Sequence, residues 1–376
     1  MKVLIVTNQV ACIRDSNVFV QENPYVIIKR FELLGEVSLL CQHFDHHSVN
    51  QVLDTIPPNK VTFIKKSRVY ISYQDKSVIR SLVDLHDLII GYVPCYNAEY
   101  ALQYAQKSGK RTLAYVVACT WDALWNHSIG GKIYAPIAYL RLKEVISKSD
   151  YALYVTSEFL QKRYPCKGLT CGVSDVVIPN LDDKILQDRL CHIKTHDFKE
   201  ISLCTVAGLN VRYKGQQYVI KAISQLKKRG DCRFHYYLYG EGDSSYLKGV
   251  CKKYKVEDQV HIVGRVLHKD IFEKLQKHDV YIQPSLQEGL PRSVVEAMSM
   301  GMLCIGAATG GIPELIDSRW ITRRKSVSDI VENLYAINKD ILTEQCISNY
   351  HKAIRFTAFE LDKKRTEFFK IIKNDI

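Results

Sequence analysis

Paired cysteine motifs are missing from this chain: its twelve cysteines are scattered singly, with no C-x-x-C. Unpaired thiols of this kind point to a reducing cytoplasm rather than to a secreted disulfide scaffold. No apolar run approaches the ~20 residues that a membrane-crossing helix needs. The opening MKVLIVTNQV has one Lys and four consecutive apolar residues, so it reads as a first strand and not as a signal peptide. No internal repeat, low-complexity segment or basic tail occurs. The basic clusters lack the aromatic interleaving of a nucleic-acid binder.

What is present is ordinary globular composition with a cationic bias. The length, 376 residues, is long for one core and suits two domains. With 47% hydrophobic and 24% charged residues the chain is not disordered. The net charge of +12 points to polyanionic substrates or an anionic membrane surface, or serves solubility alone.

Along the chain, strand patterns at residues 2–7, 37–42, 61–64, 87–92, 112–118 and 151–156 alternate with helical ones such as NAEYALQYAQKSG. Strand, helix, strand alternation predicts an α/β, doubly wound parallel sheet. A polar stretch with little apolar periodicity follows VVIPNLDD, and the alternation restarts at ISLCTVAG (201–208). The expected organisation is a first domain over 1–185, a linker over 186–199, a second Rossmann-like domain over 200–355 and a final helix over 356–376.

The densest chemistry lies in PSLQEGLPRSVVEAMSMGMLCIGAATGGIPELI (284–316). HDVYIQPS reads as a buried strand entering a loop, and Pro291 suits the first turn of a helix. Val294, Val295, Met298 and Met302 mark an apolar helical face that Gly301 closes. Glu288 falls in the loop and Glu296 on the helix. Strand, glycine-containing loop and helix N-terminus bind phosphate through backbone N–H groups and the helix dipole, so a ligand with a diphosphate and a sugar is implied. Two neighbouring segments also qualify for scrutiny. Lys214-Gly215 opens a helix after ISLCTVAG. LYGEGDSS has G-x-G-x-x-S, which lacks the third glycine of a dinucleotide fingerprint, and no acidic residue ends the next strand.

The string E-x7-E with GLP, EAMSMG and GGIPEL resembles the retaining family-4 glycosyltransferases, the "group 1" type with the GT-B fold. The resemblance implies two Rossmann-like domains facing each other across a cleft, with a last helix crossing back. It implies that Glu288 contacts the donor sugar, that Gly289, Leu290, Pro291 and Arg292 meet the diphosphate, and that Glu296 holds the ribose. Gly208 and Lys214 match the family's G-R-x-x-x-x-K-G. The Arg of that pattern is Leu209 here, so Arg212 is the candidate second cation. Arg265 and Val266 after Gly264 would meet the base. The family offsets charge on the leaving diphosphate with cations and helix dipoles, and no D-x-D occurs here, so neither metal nor other cofactor is expected. His43, His46 and His47 read as solvated.

The first half departs from the family. The loop TNQVACIRDSNVFVQENP has no glycine, leaving Asn8, Arg14, Asp15 and Asn17 as acceptor candidates. The family's His-Asp pair is Trp121-Asp122, with His127 nearby. For Asp122, an acceptor role and a helix N-cap both stand. The expected activity is retaining, metal-independent transfer from a nucleotide-diphosphate sugar to a saccharide or lipid-linked acceptor in bacterial surface polysaccharide synthesis. An epimerase or hydrolase of the same fold and a non-catalytic sugar-binding protein are the alternatives. In FIKKSRVYISY, Lys65, Lys66 and Arg68 beside Val69, Tyr70, Ile71 and Tyr73 fit reversible docking at the inner membrane face or a solvated strand end.

Overall fold

The computed structural model describes residues 1–14, 17–21, 28–43, 53–64 and 71–376. In the first half, β-branched and aromatic runs form strands β1 (Lys2–Arg14), β2 (Asn17–Gln21), β3 (Glu36–His43), β4 (Leu53–Ile56), β5 (Val61–Ile64), β6 (Leu88–Val93), β7 (Arg111–Val116), β8 (Tyr151–Tyr154) and β9 (Leu169–Gly172). The parallel part runs β5-β3-β1-β6-β7-β8-β9. Its central strands are near-continuous apolar runs because helices cover both faces; Val3, Leu4, Ile89, Ile90, Leu113 and Ala114 are fully buried.

An antiparallel flap was not visible in the sequence. The glycine-free stretch expected as a loop instead continues β1 to Arg14, past an irregularity between Val6 and Val10. β2 pairs with it antiparallel and β4 pairs with β2. With no glycine or proline between Thr7 and Arg14, nothing breaks β1.

The second sheet holds β10 (Ile201–Val206), β11 (Phe234–Tyr239), β12 (Val260–Gly264), β13 (Val280–Gln283), β14 (Leu303–Ala307) and β15 (Ile321–Thr322). Their order is β12-β11-β10-β13-β14-β15, all parallel. Helices Gln216–Lys228, Ser245–Tyr254, Ile271–Gln276 and Arg292–Ser299 alternate with the strands. Val219, Ile220 and Ile223 of the first of these join Leu203, Tyr236 and Ile282 in the core.

The chain divides into two compact units, residues 1–173 with 363–376, and 174–362. The passage between them at 173/174 precedes the stretch 186–199 that the sequence suggested as a connector. That stretch belongs to the second unit, and most of it lies in helix Asp183–Thr195. Its buried face is made by Arg189 and Ile193. Arg189 donates to the carbonyls of His278 (2.6 Å) and Asp279 (3.0 Å), so a charged residue does the docking and apolar periodicity misses it. The chain re-enters the first unit at Lys363, within helix Ala358–Asp375. There Phe369 packs on Phe31 at 5.3 Å between ring centroids, and Tyr151 bonds the Asp375 carboxylate.

Candidate functional site

β10 and β13 are neighbours, yet the chain visits β11 and β12 on one side before placing β14 and β15 on the other. Where strand order reverses in this way, the loops after the two central strands part and leave a crevice at their carboxyl ends. Lys214 comes from the loop after β10 and Glu288 from the loop after β13. Their side chains meet across this point, with Lys214 Nζ donating to Glu288 Oε1 at 2.8 Å. Both are shielded, at 23% and 10% side-chain exposure.

A chain of polar groups fixes the carboxylate. Gln283 Nε2 also donates to Glu288 Oε1 (2.9 Å) and to Ser285 Oγ (2.8 Å). Tyr281 donates to Gln283 Oε1 (2.6 Å), and Ser293 to the same oxygen (3.3 Å). The lysine loop is held by the amide of Leu286 donating to Tyr213 O at 2.7 Å. Gly215, at φ +82°, packs so closely that a Cβ would lie 2.1 Å from Pro284 O; only glycine permits this approach. Neither Gln283 nor Tyr281 belongs to the motif string, and only the paired strands reveal them.

Pro291 is the residue immediately before helix Arg292–Ser299, one position earlier than the first turn expected for it. No side chain caps that helix, which leaves its first amides for a ligand. Gly310, at φ +57°, lies where a Cβ would meet Glu288 O at 2.2 Å, and Gly311 N donates to Gly289 O (2.7 Å). The GGIPEL turn therefore braces the Glu288-Gly289 backbone. Leu290 is half-buried, Pro291 buried and Arg292 exposed at the helix start. Glu296 is buried, and its Oε1 sits 2.8 Å from Nε2 of the exposed His268. Sequence reasoning passed over His268, whose only signal is its place three residues beyond Gly264-Arg265.

Arg212 is exposed, and its guanidinium lies over Tyr246 at 4.4 Å from the ring centroid. Leu209, at the position where the family pattern has Arg, is buried in the core with its amide donating to Glu241 O (2.9 Å). Gly208 O accepts from Gln216 Nε2 (3.2 Å). Gly240, at φ +150°, lies where a Cβ would strike Ala207 O at 2.0 Å, which seats the LYGEG loop against the lysine loop. Arg265 reaches toward Glu241 at 3.9 Å, and Val266 packs on the core.

In the first unit Asp122 is buried three residues into helix Thr120–Trp125, whose N-cap is Cys119. It is therefore not the cap; Arg163 approaches its Oδ1 at 3.9 Å. His127 is exposed. Trp121 stacks on Trp125 at 5.3 Å. Asn8 is exposed on β1, and the backbone places Arg14 and Asn17 on β1 and β2. Asp15, His46, His47 and residues 65–70 lie outside the described residues. His43 is exposed and sets its ring edge-on to Phe63.

One group of metal-type ligands exists among the described residues, His192, His196 and Asp279, at the start of β13 and so at the far end of that strand from Glu288. His196 Nδ1 accepts the Phe198 N–H (3.0 Å), which puts the neutral ring's proton on Nε2, facing Asp279 Oδ1 at 3.4 Å. His192 Nε2 lies 3.0 Å from the same oxygen, and Ser202 donates to the other through N (2.8 Å) and Oγ (2.7 Å). Burial would raise the Asp279 pKa, but these hydrogen bonds outweigh it and bring the carboxyl to about 2. The cluster is a hydrogen-bonded staple between helix Asp183–Thr195 and the sheet.

The model of the family "Glycosyl transferases group 1" matches residues 200–340, the segment that holds Lys214, Glu288 and Glu296. Protein CapJ of Staphylococcus aureus is 30% identical over 287 residues, covering 74% of this chain and 70% of CapJ. The chain belongs to the group 1 glycosyltransferases. This glycosyltransferase is also 34% identical to the amylovoran biosynthesis glycosyltransferase AmsK of Erwinia amylovora, over 32% of each chain. Among solved structures, Anabaena HepE in complex with UDP superposes over 100% of both chains with a TM-score of 0.65 at 14% identity, which shows the shared GT-B fold. In this enzyme's second unit, Lys214, Glu288 and Glu296 stand at the carboxyl ends of β10 and β13 and on the following helix.

Proposed function

We propose that the enzyme is a retaining, metal-independent glycosyltransferase that moves a sugar from a nucleotide-diphosphate sugar to a saccharide or lipid-linked saccharide, in bacterial surface polysaccharide synthesis. The observation that carries this reading is the shielded Lys214–Glu288 pair at the β10/β13 reversal, beside an uncapped helix N-terminus that bears buried Glu296. AmsK's role in amylovoran synthesis and the UDP held by HepE support the choice of pathway class and donor.

A nucleoside diphosphate is a good leaving group, so the protein's task is to hold the donor and stabilise charge as it builds on the departing phosphate. Lys214 supplies a cation, the amides of Leu290, Arg292 and Ser293 supply donors, and Arg212, two residues before Lys214 in the same loop, adds a second charge. Glu288, fixed by Gln283, orients the sugar hydroxyls, and the acceptor hydroxyl enters on the face from which the phosphate leaves. Glu296 holds the ribose, its carboxylate kept in place by His268. The enzyme works in the cytoplasm and peripherally at the membrane; among the described residues no helix is long and apolar enough to cross a bilayer.

Calorimetry with a panel of uridine and guanosine diphosphate sugars tests the assignment. One donor should bind, and Glu296→Ala should weaken it roughly tenfold or more, as the loss of a charged hydrogen bond predicts. Equal affinity in wild type and variant refutes the ribose role. Turnover should persist in excess chelator, and abolition by chelation refutes the metal-free route.

A further inference from the structure

Helix Ile129–Ser147 is apolar on two opposite faces. Ala135, Ala138, Leu142, Val145 and Ile146 are buried in the first unit. On the other side Ile129, Ile133, Ile137 and Leu140 stand 80%, 75%, 60% and 63% exposed. The spacing i, i+4, i+8, i+11 lines these four up as one stripe. A helix that is hydrophobic all round belongs in a core or against a second apolar phase, and a stripe of contiguous large aliphatics is unlike scattered exposed residues.

The surroundings of the stripe choose its partner. Lys132 lies over the Trp125 ring (6.0 Å), and Lys143 and Arg163 lie over Tyr139 (5.9 and 5.7 Å). The one acid within the stripe, Glu144, is neutralised by Lys148 at 2.6 Å. A second copy set antiparallel on this face by a two-fold axis would bring the lysine flank of one protomer near that of the other. An anionic bilayer meets the same flank with opposite charge, takes the aliphatics into its acyl boundary and suits tryptophan at the headgroup level. We propose that the stripe Ile129/Ile133/Ile137/Leu140, with Lys132, Lys143 and Trp125, is the surface by which the enzyme docks on an anionic membrane. The inference rests on the peripheral membrane placement in the proposed function and names the surface that achieves it.

Co-sedimentation of the full chain with vesicles of phosphatidylglycerol and of phosphatidylcholine is the test. Wild type should bind the anionic vesicles, release as salt rises and ignore the zwitterionic ones. The double variant Ile133→Glu/Ile137→Glu should lose roughly tenfold or more in partitioning, while calorimetric donor binding stays at the wild-type value. Retained donor binding separates failure of docking from failure of the transferase assignment. Trp125 emission in the wild type, with Trp121 and Trp320 as background, should shift to shorter wavelength on the anionic vesicles, a readout that needs no variant. Sedimentation of the double variant equal to wild type overturns the proposal. So does a wild-type dimer in solution that the same substitutions dissociate, since the stripe then covers a second copy.

Discussion

Replacing Lys214 by Met removes the cation but keeps most of the side-chain volume, and the consequences for stability and for turnover separate cleanly. In the unliganded enzyme Glu288 loses one of two donors to Oε1 and keeps Gln283 at 2.9 Å. A charged hydrogen bond in a shielded site contributes about 1.5–3 kcal/mol, less what solvent returns at 23% exposure. Thermal unfolding should therefore fall by only a few degrees, at about 2–4 °C per kcal/mol for a unit of this size. In the transition state the lysine offsets charge that did not exist in the ground state. Removing such a stabiliser costs about 2–4 kcal/mol, or roughly 30- to 1,000-fold in turnover. The assay is the initial rate of nucleoside diphosphate release with the donor selected by calorimetry. Glu288→Gln should also be slow, and Lys214→Met/Glu288→Gln should be no worse than the poorer single variant within about threefold, because contacting groups that act together are non-additive. A Lys214→Met enzyme with wild-type turnover refutes the reasoning. Strictly multiplicative losses refute the claim that the pair acts as one unit.

Arg212→Ala should lower turnover less than Lys214→Met, and Tyr246→Leu, which removes a ring contact worth about 0.5–1 kcal/mol, should change donor KM two- to fivefold; an Arg212→Ala enzyme equal to wild type assigns the second charge to another residue. His278 gives the fold a defined acid sensitivity. Burial, helped by Arg189 and Lys277 and opposed by Asp279, pushes its pKa down to about 4, and its Nε2 faces the Tyr239 hydroxyl at 2.7 Å. The unfolded chain takes up this proton near pH 6.5 and the folded protein does not, so stability is complete above pH 6.5 and drains away as pH falls to about 4. The loss is roughly 3 kcal/mol. Urea midpoints at pH 7 and 4.5 should show it in wild type and not in His278→Gln; an equal pH slope in both removes His278 as the cause. Asp279 adds its own loss only below about pH 4, outside that window.

The amino-acid sequence alone determined the alternation of strands and helices, because apolar runs of four to eight residues and 3.6-residue periodicity are local properties of the chain. It also determined the loop-to-helix placement of Glu288 and Glu296, since Gly289, Pro291 and Gly301 punctuate that segment wherever it folds. Tertiary structure decided the rest. Lys214 and Glu288 are 74 residues apart, and only the β10–β13 pairing makes them neighbours. His268 reaches Glu296 because helix Ile271–Gln276, which it leads into, packs against the helix that carries Glu296. Arg189 docks a helix that looked like a polar connector, since a buried guanidinium leaves no apolar period to read. The strand from Lys2 to Arg14 was legible only to its sixth residue, because what extends it is a partner strand. The exposed aliphatic stripe is invisible in sequence for the opposite reason: a helix apolar on two faces gives the pattern of a buried one, and only the packed unit shows which face is left in water.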